Sequence, residues 1–233
     1  TGVAASVNTI NAAAMNTAIT MVGATTGSRV DTFTGGTGAD TFVFSGTTGL
    51  QDGDILTGTS GADVIQLNNT AGAVTAEADF DDIATLTNIT VKDNDGGNAT
   101  SAQAIGLTIS AIAETTAQTI TIDASAITDS NDVLTVTNSA ASTTTLFNIT
   151  GGAGADIIAG SNAVDTIIGG SGVDLITGNI GADILTGGAG ADNFAYTATT
   201  NLTMGSAGAS TASTSAKTDT ITDFVAGTDN ILV

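Results

Sequence analysis

A nine-residue repeat in the second half of this chain limits the folds open to it. From Gly151 the sequence divides into five consecutive nonapeptides: GGAGADIIA, GSNAVDTII, GGSGVDLIT, GNIGADILT and GGAGADNFA. Position one is always glycine, position six is always aspartate and position eight is always a large apolar residue. A tandem repeat of this kind predicts units that stack on their neighbours, because one unit alone cannot bury its apolar side.

An interrupted set of the same units lies upstream. TGSRVDTFT (26–34) and GGTGADTFV (35–43) are contiguous, and GLQDGDILT (49–57) and GTSGADVIQ (58–66) follow after a five-residue insertion. The nine position-six aspartates are Asp31, Asp40, Asp54, Asp63, Asp156, Asp165, Asp174, Asp183 and Asp192. The same local structure is therefore predicted at two places in the chain.

Each unit combines a turn that exposes oxygen atoms with a strand that buries one side chain. Glycine accepts positive φ without strain, so the glycine-rich turn presents backbone carbonyls, and the aspartate adds a charged oxygen at its end. The last three residues predict a short strand whose middle side chain fills the interior. With two units per coil, loop 151–156 is expected to stack on 169–174 and then on 187–192, and loop 160–165 on 178–183.

Stacked aspartates need a cation to balance them. Carboxylates repeated at strand spacing, ~4.8 Å, repel one another, and the chain has only 3 basic residues against 23 acidic ones, a net charge of −20. Calcium takes about six to eight hard oxygen ligands in flexible geometry, and G-G-x-G-x-D-x-U-x is typical of calcium-binding β-helix repeats. We therefore predict several Ca²⁺ ions, held by the nine aspartates together with Gly35, Gly36, Gly38, Gly151, Gly152, Gly154, Gly169, Gly170, Gly172, Gly187, Gly188 and Gly190.

The alternative is that aspartate and glycine merely fill turns, where both are common. Nine units that share the Asp-x-apolar step favour calcium instead. The units that depart from the pattern have Ser161 and Asn179 at position two and Ala163, Arg29 and Asp52 at position four. The weakest predicted loops are therefore 26–31, 49–54 and 160–165.

Between the two clusters the pattern changes to alternating apolar and polar residues rich in Thr, Ile and Val. Residues 83–91, 105–112, 119–122 and 133–137 each predict a strand. The alanines of 10–22 are compatible with a helix, but TINAAAM (9–15) resembles TIDASAI (121–127), which favours a turn and a strand. Residues 197–218 have a low-complexity composition that predicts an exposed loop.

These patterns predict an all-β fold, a parallel β-roll or β-helix solenoid whose calcium-binding nonapeptide coils are joined by a Thr-rich β-ladder. The predicted segments are the end of a β-ladder (1–25), a first calcium-binding cluster (26–68), a β-ladder spacer (69–150), a second calcium-binding β-roll (151–196), and a loop with C-terminal capping strands (197–233).

The composition excludes several classes of function. The sequence has no histidine and no cysteine, which excludes Ser-His-Asp triads, Cys-His pairs, histidine-type zinc sites and disulfides. Nucleic acid and anionic membranes need basic contacts that this acidic chain lacks. No apolar run reaches the length of about 18 residues that a membrane span needs. The chain starts at Thr1 without a signal-peptide pattern, and we interpret it as a processed or excised piece of something longer.

Other acidic groups have weaker interpretations. KDNDGG (92–97) resembles the start of an EF-hand loop, but the later ligand positions do not match, and we interpret it as a tight turn. Asp79, Asp81 and Asp82 are interpreted as a solvated edge, and Asp129 and Asp132 as part of a turn. For Asp219, Asp223 and Asp229 two alternatives stay open: completion of the last calcium loop, or capping of the coil end by hydrogen bonds.

The C-terminal sequence resembles a known family. GGAGADNFAY, followed by a Ser/Thr loop and DTITDFVAGTDNILV, resembles the β-roll end of RTX proteins, the hemolysin-type calcium-binding repeat proteins of bacteria. Residues 31–67, FDDIATLTNITV (80–91) and TIDASAI ahead of ITGGAGAD resemble RTX-type S-layer proteins more closely. The resemblance implies type I secretion, folding on calcium outside the cell and calcium-dependent assembly in two dimensions, with a secretion signal at or just beyond Val233.

The leading hypothesis is therefore a structural, non-catalytic protein, secreted to the extracellular surface of the cell as part of an S-layer. The predicted partners are copies of itself in a two-dimensional lattice or other homo-oligomer, and cell-surface polysaccharide through a segment ahead of Thr1. The alternatives are the RTX tail of a secreted protease, lipase or hemolysin, and a calcium-dependent adhesin. An ice-binding adhesin would need a flat face of regularly spaced threonines, and no long register of that kind is found.

Overall fold

The computed structural model describes residues 8–23, 31–45, 54–58, 63–69, 74–76, 83–84, 88–93, 104–109, 119–138, 143–196, 202–205, 209–212 and 219–233. These residues form strands and turns, with no helix among them. The strands are β1 (Asn8–Asn11), β2 (Thr20–Val22), β3 (Asp31–Thr34), β4 (Thr41–Ser45), β5 (Ile55–Thr57), β6 (Val64–Asn69), β7 (Val74–Ala76), β8 (Ile83–Ala84), β9 (Asn88–Asp93), β10 (Ala104–Ile109), β11 (Thr119–Asp123), β12 (Val133–Asn138), β13 (Leu146–Thr150), β14 (Ile157–Ala159), β15 (Thr166–Ser171), β16 (Leu175–Thr177), β17 (Ile184–Ala189), β18 (Asn193–Ala195), β19 (Leu202–Gly205), β20 (Ala209–Ala212), β21 (Asp219–Ile221) and β22 (Asn230–Leu232).

The strands form three sheets, which are parallel except at one end. An 11-stranded sheet has the order β19-β20-β21-β17-β15-β13-β11-β9-β6-β4-β2, a 7-stranded sheet has the order β22-β18-β16-β14-β12-β10-β7, and a 4-stranded sheet has the order β1-β3-β5-β8. Only the pairs β19–β20 and β20–β21 are antiparallel among the described strands. The predicted parallel solenoid is confirmed.

The chain coils because successive strands of the second cluster alternate between two sheets. β14, β16 and β18 belong to the 7-stranded sheet, whereas β15 and β17 belong to the 11-stranded sheet. Ile157 pairs with Leu175, and Thr166 pairs with Ile184, so strands of one side recur every second nonapeptide. This register confirms the expected stacking of loops on each side of the coil.

The interior is filled by the position-eight side chains. Ile158, Ile167, Ile176, Leu185 and Phe194 are each no more than 1% exposed. Each strand places this one residue inward and its two neighbours outward, as the alternation of a β-strand requires. Burial of a side chain of this size contributes about 1.5–3 kcal/mol, so the apolar column is a main source of stability for the coil.

The same interior column extends through the first cluster. The equivalent side chains there, which are fully buried, are Phe33, Phe42, Leu56 and Ile65. The ring of Phe33 stacks near those of Phe42 and Phe44, with centroids 6.4 and 6.1 Å apart. Aromatic side chains therefore replace the aliphatic ones of the second cluster at several levels.

Residues 9–22 form a turn between two strands, as predicted from their likeness to residues 121–127. After β1 the Met15 N–H donates to the carbonyl of Ala12, and after β11 the Ile127 N–H donates to the carbonyl of Ala124. The chain then enters β2 in the first case and β12 in the second. The two segments therefore have the same turn in equivalent places.

Two predicted segments differ from the structure. The single strand predicted over 83–91 is divided, because β8 pairs in the 4-stranded sheet and β9 in the 11-stranded sheet. The loop predicted over 197–218 contains β19 and β20, which pair with each other and, through β20, with β21. Small Ser, Thr and Ala side chains resemble a loop in composition, but here their backbone groups complete the edge of the sheet.

No helix in the described part of the chain is long and apolar enough to cross a membrane.

Candidate metal centre

The nine repeat aspartates are all buried. None of them is more than 3% exposed: Asp31, Asp40, Asp54, Asp63, Asp156, Asp165, Asp174, Asp183 and Asp192. A carboxylate is rarely buried without a partner, because an ionised group loses its hydration in the interior. Their burial therefore requires compensating hydrogen bonds or a cation.

Each aspartate of the second cluster accepts a hydrogen bond from the coil before it. The Leu134 N–H donates to Asp156 Oδ1 (2.8 Å), the Asp156 N–H to Asp174 Oδ1 (2.8 Å), the Asp174 N–H to Asp192 Oδ1 (3.0 Å), and the Asp192 N–H to Asp229 Oδ1 (3.1 Å). The predicted pairs Asp156/Asp174 and Asp174/Asp192 are thus direct neighbours in one column. One carboxylate oxygen of each aspartate is committed to holding adjacent coils together.

The opposite side of the coil has an equivalent column. The Phe147 N–H donates to Asp165 Oδ1 (2.6 Å), the Asp165 N–H to Asp183 Oδ1 (2.9 Å) and the Asp183 N–H to Asp219 Oδ1 (3.0 Å). The predicted pair Asp165/Asp183 is therefore also adjacent in space.

In the first cluster, the N–H of one repeat aspartate likewise donates to Oδ1 of the aspartate one coil later, across the five-residue insertion. The Asp31 N–H donates to Asp54 Oδ1 (2.7 Å), and the Asp40 N–H donates to Asp63 Oδ1 (2.8 Å). The Ile19 N–H donates to Asp40 Oδ1 (3.0 Å), which ties this cluster to the turn that follows β1.

The second carboxylate oxygen, Oδ2, turns into the aspartate's own loop beside the position-one glycine. A Cβ on Gly151 would overlap both Asp156 Oδ2 and the Gly169 carbonyl oxygen. A Cβ on Gly169 would likewise overlap Asp174 Oδ2 and lie 2.6 Å from the Gly187 carbonyl oxygen. Each such glycine therefore leaves a space where a carboxylate oxygen and a carbonyl oxygen of the next loop converge.

The same relation holds at the other predicted position-one glycines. A Cβ on Gly35 would overlap Asp40 Oδ2, and a Cβ on Gly187 would overlap Asp192 Oδ2. At position two, the Gly36 and Gly152 N–H groups donate to Asp40 Oδ2 (2.7 Å) and Asp156 Oδ2 (2.8 Å). Gly38 and Gly154, at position four, lie against the backbone of Thr17–Ala18 and of Asp132, in the turn stacked on each loop.

Four glycines of the later loops require glycine for a second reason, their backbone conformation. Gly170, Gly172, Gly188 and Gly190 have φ of 116°, 117°, 101° and 152°. A Cβ at any of the four would also overlap a carbonyl oxygen of the loop stacked against it. Close stacking of loops 151–156, 169–174 and 187–192 therefore depends on the absence of side chains at positions two and four.

Burial makes the aspartates harder to ionise when no cation is bound. Desolvation raises the pKa of Asp156 to about 6 and of Asp165 to about 6. It raises the pKa of Asp174 to about 7, with the nearby charges of Asp156 and Asp192 adding to the effect. Desolvation also raises the pKa of Asp63, Asp192 and Asp219. A cation among these groups would stabilise their charged form.

The arrangement fits calcium. The Oδ2 atoms of Asp174 and Asp63 are buried and accept no hydrogen bond. Within the described ranges, no group of three or more acidic side chains lies close enough to hold a metal ion, so most ligands must be carbonyl oxygens. A donor set of one or two carboxylates with several carbonyls is hard and flexible, as Ca²⁺ prefers. When bound, the ion neutralises the facing carboxylates.

Several residues of this environment had no signal in the nonapeptide pattern. Leu134 begins one column and Phe147 the other, at positions where later coils have an aspartate. Each contributes only its backbone N–H, which donates to Asp156 Oδ1 or to Asp165 Oδ1. Asp129 and Asp132 were predicted in a turn, and they lie there, but both are buried. Spacing cannot reveal such positions, because their side chains follow no repeat.

At the C-terminal end, the hydrogen bonds that the capping alternative predicts are present, and completion of the last calcium loop stays a prediction. Asp219 and Asp229 accept the N–H groups of the last repeat aspartates, as described above. Asp223 accepts hydrogen bonds from the N–H groups of Gly187 (3.0 Å) and Gly188 (2.8 Å). Other predicted features lie outside the described residues: Asp79, Asp81, Asp82, residues 94–97 of KDNDGG, and most of loops 26–31 and 49–54.

Comparison with known proteins identifies the repeats. The family model of the RTX calcium-binding nonapeptide repeat (HemolysinCabind) matches four times, at residues 25–43, 48–69, 148–167 and 159–194. No curated protein and no solved structure shows a significant match. The four matches include all nine buried aspartates and the hydrogen-bonded loops around them. The two glycine–aspartate clusters are therefore RTX nonapeptide repeats, which bind several Ca²⁺ ions.

Proposed function

We propose that this chain is a structural, non-catalytic unit of a bacterial surface layer, which leaves the cell by type I secretion, folds on extracellular calcium and assembles with copies of itself. RTX repeat proteins are typically secreted, and calcium is abundant outside the cell and scarce in the cytosol. The chain would therefore stay loosely folded before export and become rigid afterwards.

The observation that carries this proposal is the continuity of the parallel ladder between the two clusters. The 11-stranded sheet runs from β2 through β4 and β6 of the first cluster, then through β9, β11 and β13 of the spacer, and reaches β15 and β17 of the second. A ladder whose neighbouring coils share hydrogen bonds along its length resists bending between the clusters. A lattice subunit needs such stiffness, whereas a calcium tail that only assists secretion does not need a folded spacer.

Charge and exposed apolar surface also support association that depends on calcium. At a net charge of −20, two copies repel unless cations lie between them. In the second cluster, Val164, Val173 and Ile180 are 42%, 52% and 53% exposed. Calcium at the contacts would lower the repulsion, and burial of such side chains against a second copy would contribute to the affinity.

Electron microscopy of the purified chain with calcium tests the proposal. We expect periodic sheets or regular oligomers at millimolar calcium and dispersed particles in EGTA. A chain that is folded but strictly monomeric at ~10 mM calcium, well above the range of extracellular-type sites, would instead support the alternative of a secretion and folding tail.

A further inference from the structure

The two rows of stacked loops in the second cluster differ in composition. We call loops 151–156, 169–174 and 187–192 the glycine row, because positions one, two and four are glycine in all three. We call loops 160–165 and 178–183 the substituted row, because Ser161 and Asn179 occupy position two and Ala163 occupies position four of the first loop. The two rows lie on opposite sides of the same coil.

In the substituted row, Ser161 surrounds the aspartate of its own loop with donors. Its N–H donates to Asp165 Oδ2 (2.5 Å), and its Oγ lies 2.8 Å from Oδ1 and 3.0 Å from Oδ2 of the same carboxylate. The Ala163 N–H donates to Ser161 Oγ (2.9 Å), which fixes the hydroxyl in place. Ser161 is 1% exposed, so this network replaces water around the carboxylate.

The carbonyl of the same loop is also occupied by donors. Asn179 Nδ2 donates to the Gly160 carbonyl oxygen (2.7 Å), and Asn138 Nδ2 donates to it from the other side (3.1 Å). Asn179 has a φ of 70°, a conformation that asparagine tolerates better than most residues with a side chain. Its amide therefore bridges loops 178–183 and 160–165.

The glycine row offers no such donors. Apart from the aspartates, its loops contain only glycine, alanine, Ser171 and Val173, and the last two side chains are exposed. Asp174 Oδ2 in this row is buried and accepts no hydrogen bond, and the same is true of Asp183 Oδ2, at the far side of loop 178–183 in the substituted row. Asp165 Oδ2, in contrast, accepts the N–H of Ser161. The Asp174 carboxylate oxygen therefore lacks the compensation that Ser161 gives to Asp165.

We propose that calcium binds between the stacked loops of the glycine row, and that between loops 160–165 and 178–183 side-chain hydrogen bonds take the place of the ion. An N–H or O–H hydrogen and a cation compete for the same oxygen lone pairs. Binding of calcium between these two loops would require the buried Ser161 and the half-buried Asn179 to give up their hydrogen bonds, which is unfavourable. The glycine row has no side-chain competitor of this kind, and the donors that remain there are backbone groups such as the Gly152 N–H, which donates to Asp156 Oδ2 (2.8 Å).

The aspartate spacing predicts that both rows bind calcium alike, with Asp165 and Asp183 as ligands. The hydrogen bonds of Ser161 and Asn179 indicate a difference between the rows. Loops 160–165 and 178–183 would then stay joined without calcium, whereas the loops of the glycine row would respond to it. The proposal rests on calcium binding by the repeats and not on lattice assembly. Ion counts per chain therefore test it separately from electron microscopy.

The first test compares matched variants of the full chain, Asp174→Asn and Asp165→Asn, by equilibrium dialysis against calcium with circular dichroism as the control for folding. Asparagine keeps the Oδ1 acceptor for the neighbouring N–H and removes the charge. We expect Asp174→Asn to lower the number of ions bound per chain by at least one and Asp165→Asn to leave it unchanged. An equal loss of ions in both variants would overturn the proposal.

A second variant is designed to add a calcium site instead of removing one. It tests the proposal even if Asp165→Asn does not fold. Ser161→Gly combined with Asn179→Gly gives both loops of the substituted row glycine at position two. We expect this variant to bind one more calcium ion per chain than the original and to be less stable in EGTA. An unchanged ion count in the folded double variant would show that the side chains do not exclude calcium, contrary to the proposal.

Discussion

Each repeat aspartate of the second cluster has two roles, one for each of its carboxylate oxygens. Oδ1 accepts the backbone N–H of the preceding coil, at 2.8 Å for Asp174, and so satisfies a buried donor. Oδ2 points into the turn, where it faces glycine carbonyls. An unsatisfied buried polar group costs about 1–3 kcal/mol, so loss of the side chain affects the join between coils as well as the ion.

We predict that Asp174→Ala lowers calcium affinity more than any single alanine substitution outside the repeats. Asp174 lies between Asp156 and Asp192 in the column and is 0% exposed. Because the charge of the ligands sets calcium affinity, we expect a decrease of about tenfold or more. Isothermal titration calorimetry measures it.

The matched control for this experiment is Asp123→Ala. Asp123 is exposed, and among the described residues its carboxylate accepts hydrogen bonds from the N–H and the hydroxyl of the neighbouring Ser125. Asp132 is a poorer control although it lies outside the nonapeptides, because it is buried below loop 151–156. Equal titration curves for the Asp174 and Asp123 variants would contradict the stacked-column interpretation.

The calcium-free chain should become less stable as the pH rises from about 4 to about 7. Burial raises the pKa of Asp156 and Asp165 to about 6 and of Asp174 to about 7. In this window the folded state holds protons that the unfolded state has already released, so the free energy of unfolding falls as pH rises. Above about pH 7 the effect levels off.

Urea unfolding in EGTA at pH 5 and pH 8 measures this pH dependence, and millimolar calcium at pH 8 is the control. Calcium binds the ionised carboxylates and should restore stability at the higher pH. A calcium-free chain that is more stable at pH 8 than at pH 5 would show that the aspartates are not the groups that oppose folding.

At the scale of single elements, the nonapeptide pattern predicted the loops and short strands well. The aspartate, the glycines and the position-eight residue each act within one unit, so their roles can be inferred from local spacing. The strand ladder and the 18-residue recurrence follow from the same unit. The apolar column of Ile158, Ile167 and Ile176 is buried as expected.

The features that could not be predicted depend on contacts between distant segments. Asp156 Oδ1 accepts the backbone N–H of Leu134, and the Leu134 side chain has no part in this contact. The carbonyl of Ile127 accepts the N–H of Ala153, so a turn of the spacer stacks on the first glycine loop although it lacks the glycine motif. These contacts involve backbone groups, which nearly every residue type has. The sequence therefore does not indicate where they form.

Gly172 provides a test of loop stacking at the level of one element. Its φ is 117°, and a Cβ would overlap the Gly154 carbonyl oxygen. We expect Gly172→Ala to lower the free energy of unfolding by about 1–3 kcal/mol from backbone strain alone. Chemical denaturation at saturating calcium measures the change.

Gly106→Ala is the matched control for Gly172→Ala. Gly106 lies in β10 without a positive φ, and a Cβ there would meet nothing within 4 Å. Alanine is favoured over glycine in a strand by about 0.5–1 kcal/mol, so this variant should be as stable as the original or slightly more so. A similar loss of stability in both variants would argue against tight stacking of loop 169–174.

At the scale of the whole molecule, one ladder connects the calcium-binding clusters through a spacer without nonapeptides. β6 pairs with β9, β9 with β11 and β13 with β15, so the hydrogen bonds pass from cluster to spacer to cluster. Folding of the spacer is therefore coupled to the loops at both of its ends. The charge of −20 opposes this folding unless cations are present.

We predict that calcium first folds the chain and that assembly follows only at higher calcium concentration. At about ten times its Kd, each ion adds on the order of 1.4 kcal/mol to the stability of the folded chain. Several ions together reach the whole stability of an ordinary domain, ~5–15 kcal/mol. Sites between two chains must in addition offset the loss of rotational and translational freedom, so the midpoint of assembly should lie above that of folding.

A calcium titration from EGTA to ~10 mM measures both midpoints, because this range extends above the Kd of extracellular-type sites. Circular dichroism follows folding and light scattering follows assembly on the same samples. Magnesium at equal concentration is the control for general charge screening, because it keeps its water shell and fits a carbonyl-rich loop poorly. A β-sheet spectrum unchanged in EGTA would contradict calcium-dependent folding. Coincident midpoints would mean that assembly uses the intrachain sites and needs no ions of its own.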